Sequence, residues 1–213
     1  MMTTSQPIRF EQPRAIDVED QVRADFYALL ANLFFRAPDE RLLHAIMIAP
    51  EPTSESALGD AMGKAWAALA AASAAVTADA VQAEFDKLFG GVGRAQLMPY
   101  GSYYLAGFLN EKPLAELRSD LARMGFSRDA VASETEDHLA ALCDVMRANI
   151  LGDVASAPAT QTAQQQFFKK HLQPWILQCC DATINNENSN YYRRVAAFAR
   201  SFFEIEIQAF DMQ

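Results

Sequence analysis

The chain has 213 residues, 51% of them hydrophobic, and a formal net charge of −9 from 27 acidic and 18 basic side chains. That length and apolar content support one sizeable core, or two small lobes sharing one, and argue against a disordered chain. So acidic a surface repels phosphate backbones, so nucleic acid is not an expected partner, whereas a basic segment of another protein is.

Residues 1–16 carry Gln, Pro, Arg and Glu with no apolar stretch, so a mobile arm is expected there and not a secretory leader. Helical spacing then begins: Val22, Phe26, Leu29, Leu30, Leu33 and Phe34 fall on one face, with Asp17 or Asp20 available as a cap. A second helix over 39–47 presents Leu42, Leu43 and Ile46 and stops at Pro50 and Pro52. The alanine-rich segment 56–75 predicts a third helix with Met62, Trp66 and Leu69 as its large contacts. The longest apolar run of the chain, 65–76, is too short to cross a membrane. Thr77 precedes a fourth helix bearing Val81, Phe85, Leu88 and Phe89, which Gly90 and Gly91 are expected to end in left-handed backbone.

Segment 90–105 reads as a long irregular loop that keeps Tyr100, Tyr103 and Tyr104. A fifth helix over 113–124 carries Leu114, Leu117, Leu121 and Met124 and stops at Gly125. A sixth, starting near 134–136, carries Leu139, Leu142, Met146 and Ile150. The stretch 152–162 reads as a flexible connector. Helices over 163–172, from Pro174, and over 189–210 complete the chain, with residues 185–190 as a turn. No segment alternates with period two, so the expected class is all-α: a single-domain or two-lobed bundle of about nine helices over 17–213, with possible sub-lobes 17–132 and 133–213.

Enzyme and metal signatures are missing. Arg41, Thr135 and Phe168 stand three residues before the three histidines, so the Glu-x-x-His pairs of a di-iron bundle are absent. Gly90, Gly91 and Gly93 lack the Lys-Ser/Thr end of a phosphate loop, and Ser102 has no nucleophile-elbow frame. No metal site and no catalytic residue is assigned. Cys143, Cys179 and Cys180 form no C-x-x-C pair and suit a reducing compartment. Cys143 reads as core, and the adjacent pair as one buried and one partly exposed thiol.

Two constellations remain. Pro99-Tyr100-Gly101-Ser102-Tyr103-Tyr104 joins a fixed backbone angle, a relaxed one and flat rings with polar tips, which suits either a peptide groove or a well-packed loop. Glu134-Thr135-Glu136-Asp137-His138 places carboxylates at a predicted helix start, where the dipole favours them, and adds a histidine that titrates near neutrality.

Together with Glu84-Phe85-Asp86-Lys87-Leu88-Phe89, His171-Leu172-Gln173-Pro174-Trp175 and the closing helix from Tyr191-Tyr192-Arg193, these segments resemble, in order and spacing, the TorD/DmsD/NarJ family of molybdoenzyme-maturation chaperones. The resemblance implies a TorD-like helical fold and a non-enzymatic, cytoplasmic role. It implies binding of the twin-arginine leader and the apo form of a molybdoenzyme of the DMSO-reductase type, delaying export until the cofactor is inserted. It also implies a monomer or a domain-swapped dimer without stable membrane insertion, and no cofactor beyond weak guanine-nucleotide binding linked to some members. By position it assigns the peptide-binding surface to Leu88, Phe89, Pro99, Tyr100, Gly101, Ser102, Glu134, Asp137 and His138, to which the ring of Tyr103 is added. Thr135 stands where the family often has proline, so a freer hinge is expected there. The alternative is a permanent helical subunit or assembly factor of a redox complex that binds no leader.

Overall fold

The computed structural model describes residues 16–52, 57–90, 95–128, 133–152 and 160–212. The expected arm, Gly91, Gly93 and most of the expected connector at 152–162 lie outside them. Ten helices are present among the described residues. They are α1 (Val18–Phe35), α2 (Glu40–Ile48), α3 (Ala57–Ala75), α4 (Ala78–Phe89), α5 (Gly101–Ala106), α6 (Lys112–Arg123), α7 (Leu139–Leu151), α8 (Gln161–His171), α9 (Ile176–Asn185) and α10 (Tyr191–Asp211). The class is all-α, as expected. The count rises to ten because the stretch read as a loop contains α5, too short to show a hydrophobic period.

Four helices begin where a short polar side chain can take an orphan backbone N–H. Asp17, Asp39, Thr77 and Thr160 do this for α1, α2, α4 and α8, over 3.1, 2.8, 3.3 and 3.2 Å. Two helices borrow the cap from elsewhere. Asn190 precedes α10 without a side-chain cap bond, and the Glu84 carboxylate of α4 accepts instead from the N–H groups of Asn190, Tyr191 and Tyr192 at 2.8, 3.0 and 2.8 Å. Glu84 opens the first of the motif segments, and its work is to seat the last helix. The other borrowed cap, on α5, belongs to the site below.

α1 packs along α7, α10 lies against α3 and α9, and α2 rests on α3. One cluster of buried side chains runs through all of these contacts. Phe26, Trp66 and Phe198 meet edge to face, with centroids 5.1–5.9 Å apart, which joins α1, α3 and α10. Burial on α1 is wider than the single expected face. Tyr27 and Ala24 are buried, while Val22 is exposed, because the helix is covered on two sides.

Several readings are corrected. α4 ends at Gly90 with φ −119°, not in the left-handed region. α7 starts at Leu139, later than expected, because His138 is its N-cap and the residues before it form a turn. Cys143, Cys179 and Cys180 are all buried and free, so the pair holds no partly exposed thiol. Burial pushes all three thiols up, Cys179 to about 12, so their nucleophilic form is suppressed. Among the described residues no helix is long and apolar enough to cross a membrane, and no His/Cys/Asp/Glu group could hold a metal ion.

Candidate functional site

The two constellations, 35 residues apart, are laid edge to edge. Leu139 N–H donates to the Pro99 carbonyl at 2.8 Å and Gly101 N–H to the Asp137 carbonyl at 2.9 Å, making an isolated antiparallel bridge between Tyr100 and His138. The Asp137 side chain, 3% exposed, adds two bonds. Its Oδ2 accepts from Ser102 N–H at 2.8 Å, and its Oδ1 from the Thr135 hydroxyl at 2.6 Å. Tyr100 occupies the N-cap position of α5 and makes no side-chain cap bond, so Asp137 is the borrowed cap of that helix. Thr135 is bonded into the turn. Its hydroxyl bonds Asp137 and its carbonyl accepts from His138 N–H at 3.0 Å, and a proline could not make the first of these bonds.

Gly101 is explained by the third motif. A Cβ on it would come within 3.2 Å of the Trp175 indole nitrogen. That indole is fixed by donating to the His171 carbonyl at 2.7 Å and by stacking with Tyr104 at 5.5 Å. His171 is held in turn at 2.7 Å from Asp120 of α6, which also bonds Lys170 and Arg123. The His-to-Trp segment is thus the backing of α5.

His138 accepts from Ala140 N–H through Nδ1 at 3.1 Å, capping α7 and leaving the proton of the neutral ring on Nε2. Burial drives its pKa from 6.5 down to about 4, against the pull of the Glu134 and Asp137 carboxylates. Tyr100 meets the ring edge to face at 4.8 Å and donates its hydroxyl to Glu134. Burial and Glu134 raise the Tyr100 pKa, so the phenol stays protonated. For His138 the folded value lies below the unfolded one, so the stability its neutral form contributes is present above pH 6.5 and is lost as pH falls through 4. Denaturant unfolding at stepped pH is expected to show a loss of about 3 kcal/mol over that window that disappears in His138→Asn, which keeps a capping acceptor.

Beside this assembly lies a cleft of about 640 Å³. One wall is the α6 face carrying Arg118, Leu121 and Ala122, and the other is the α7 face carrying Ala140, Ala141, Asp144 and Val145. Phe126, the exposed Phe35, the segment Glu134-Thr135-Glu136 with His138, and polar residues that include Arg128 add to the lining. The charges mostly pair off: Arg118 bonds Glu136 at 2.9 Å, and Arg128 donates to the Glu134 carbonyl at 3.3 Å.

Of the residues assigned from the sequence, Glu134 and His138 line this cleft. Asp137, Pro99, Gly101 and Ser102 are buried beneath it, and Tyr100 is half-buried against His138. Leu88 and Phe89 do not belong to it. Leu88 is fully buried, and the Phe89 ring packs on Phe34, Phe85 and Tyr192, because α4 turns that face toward α1 and α10. Tyr103 packs edge to face on Tyr104 at 5.3 Å, away from the cleft lining. No motif contains the α6 and α7 wall residues, although Arg118, Leu121 and Ala122 share one helical face, as do Ala141, Asp144 and Val145.

A second cleft of about 560 Å³ between α1, α3, α8 and α10 holds the Arg23–Glu206 ion pair. Of the motif segments only the closing helix α10 reaches it, through residues such as Phe202.

The model of the family described as nitrate reductase delta subunit matches residues 55–181, which hold four of the five motif segments. The chain belongs to this family, that of TorD and NarJ. Over 131 residues it is 26% identical to the chaperone protein TorD of Vibrio parahaemolyticus serotype O3:K6, covering 58% of this chain and 61% of that protein. The TorD of Vibrio atlanticus is 23% identical over 135 residues, covering 60% of this chain and 63% of that protein. The matched stretch spans about three-fifths of the length of these curated relatives. The crystal structure of a putative redox enzyme maturation protein from Archaeoglobus fulgidus superposes with a TM-score of 0.54 at 20% identity, over 94% of this chain and 99% of that one. Its likeness extends the TorD-like fold to the helices beyond the family match.

Proposed function

We propose that this member of the TorD/NarJ family is a cytoplasmic maturation chaperone for a molybdenum-containing redox enzyme, and that it holds the client's twin-arginine leader in the cleft between α6 and α7 until the cofactor is in place. The observation that carries this reading is the juxtaposition of that cleft with the Glu134-to-His138 segment, one of the signature segments of the family. The lining is largely apolar, from Leu121, Ala122, Phe126, Ala141 and Val145, and takes the apolar middle of a leader. Each apolar side chain buried there contributes roughly 25 cal/mol per Å², before ordering costs. The buried Asp137, Ser102 and Trp175 act by fixing the wall and do not touch the peptide. No bond in the client is made or broken, and no cofactor of the chaperone's own is required. The named relatives are chaperones, which favours this reading over a permanent subunit.

Calorimetry of the intact chain with a twin-arginine leader peptide tests it. Binding of about 1 µM is expected, weak enough to release the client. Ala122→Trp, which fills the cleft from an exposed position on α6, is expected to weaken binding by about a hundredfold. Ala67→Trp, on the exposed face of α3, serves as control. Equal binding by both variants places the leader elsewhere.

A further inference from the structure

The cleft contains three carboxylates, and two of them are engaged. Glu134 accepts from the Tyr100 hydroxyl, and Glu136 is paired with Arg118 at 2.9 Å. Asp144, in the middle of the α7 wall, has no hydrogen bond or ion pair among the described residues; Arg147, three residues on, acts on it only through space. Its side chain is exposed, and its own helix places Ala140, Ala141 and Val145 beside it in the cleft lining. Desolvation by these neighbours raises its pKa, against the pull of Arg147, and no bonded partner engages the carboxylate. It stands six residues beyond His138, about 9 Å along the helix axis, so one short segment of a bound peptide can span both.

Resting on the leader-binding reading above, we infer that Asp144 is the anchor for an arginine side chain of the bound peptide. The chemistry selects a guanidinium. Both carboxylate oxygens are free to accept, which suits its planar fork, and a guanidinium sheds water more readily than an ammonium at a lip lined by alanine and valine. The neighbouring Arg118 and Arg128 are already bonded to the turn, so they do not occupy Asp144 and they repel a misplaced cation. Asp144 therefore sets the register of the peptide: the cation at Asp144, the apolar residues between the two walls. The residue acts on recognition and carries no part of the fold.

The test uses the intact chain, wild type and Asp144→Asn, with the leader peptide and with versions in which each arginine in turn is citrulline, which keeps the shape and removes the charge. Asp144→Asn is expected to weaken the arginine peptide about tenfold and to leave thermal stability unchanged. One citrulline position should weaken wild-type binding by the same factor, with no further loss in Asp144→Asn. Lysine at that position should bind more weakly than arginine. If Asp144→Asn binds the arginine peptide as wild type does while Ala122→Trp abolishes binding, the anchor is wrong and the cleft stands. If Asp144→Asn weakens every peptide equally, citrulline versions included, its role is structural and the inference falls. If wild type binds no leader peptide, the leader-binding reading falls and the anchor with it.

Discussion

Glu206→Leu is expected to lower the unfolding free energy by about 3–5 kcal/mol, the largest effect of any single substitution considered. Glu206 sits on α10 with 1% of its surface exposed. Its two oxygens accept from Arg23 Nε and a terminal Arg23 nitrogen at 2.8 and 2.9 Å, and from the buried Tyr27 hydroxyl at 2.8 Å. Arg23 also reaches Asp20 at 2.8 Å and Gln164 at 3.2 Å, and lies over the Phe210 ring at 5.5 Å. Removing the carboxylate leaves a largely buried guanidinium and a buried phenol without their principal acceptor, and that desolvation dominates the cost. In a chain of this length the midpoint of thermal unfolding should fall by about 10 °C. Joining Arg23→Met to Glu206→Leu removes the stranded cation, and most of the loss should be recovered. Urea unfolding of the three proteins checks this. A loss below about 1 kcal/mol in the single variant would show that the pair is solvated.

Asp137→Ala is the second large effect, about 2–4 kcal/mol, since its carboxylate satisfies both a buried backbone N–H at the start of α5 and the Thr135 hydroxyl. The substitution uncaps α5 and frees the turn that places His138. Asp137→Asn, which keeps one acceptor for Ser102, should cost about half as much. The two are separable from a direct binding role by amide exchange. Protection should fall at Ser102 and Tyr103 in Asp137→Ala without any peptide present, while a residue that only contacts the leader would leave it unchanged.

These two carboxylates mark where the sequence was legible and where it was not. Helical class followed from spacing alone: Leu114, Leu117 and Leu121 on α6, and Leu139, Leu142 and Met146 on α7, are buried as their period predicts. Local caps were equally readable, because Thr77 and Asp17 bond backbone two or three residues away. Residues whose partners are distant in the chain carry no local signal of their role. By sequence Asp137 is a charge favoured by its own helix dipole, yet it caps a different helix. Glu84 lay inside a motif and serves α10. Arg23 and Glu206, 183 residues apart, raised no signal at all, since each looks like an ordinary surface charge on an amphipathic helix.

The same division runs through the candidate site. Motif order pointed to the right neighbourhood, because the segments around Tyr100 and His138 do meet. It could not say which of their side chains face outward. Burial turned Leu88, Gly101, Ser102 and Asp137 into supports, and the cleft walls came from α6 and α7 residues such as Ala122 and Asp144 that no motif contains.

The sequence by itself determined the helical class, most helix boundaries and the family kinship, because periodicity and capping act within one or two turns of chain. Only the tertiary structure decided which charges are paired, which helices borrow their caps and where the cleft opens. Those outcomes depend on contacts between residues far apart in sequence, and a carboxylate reads the same in one dimension whether it ends in water or against a buried N–H.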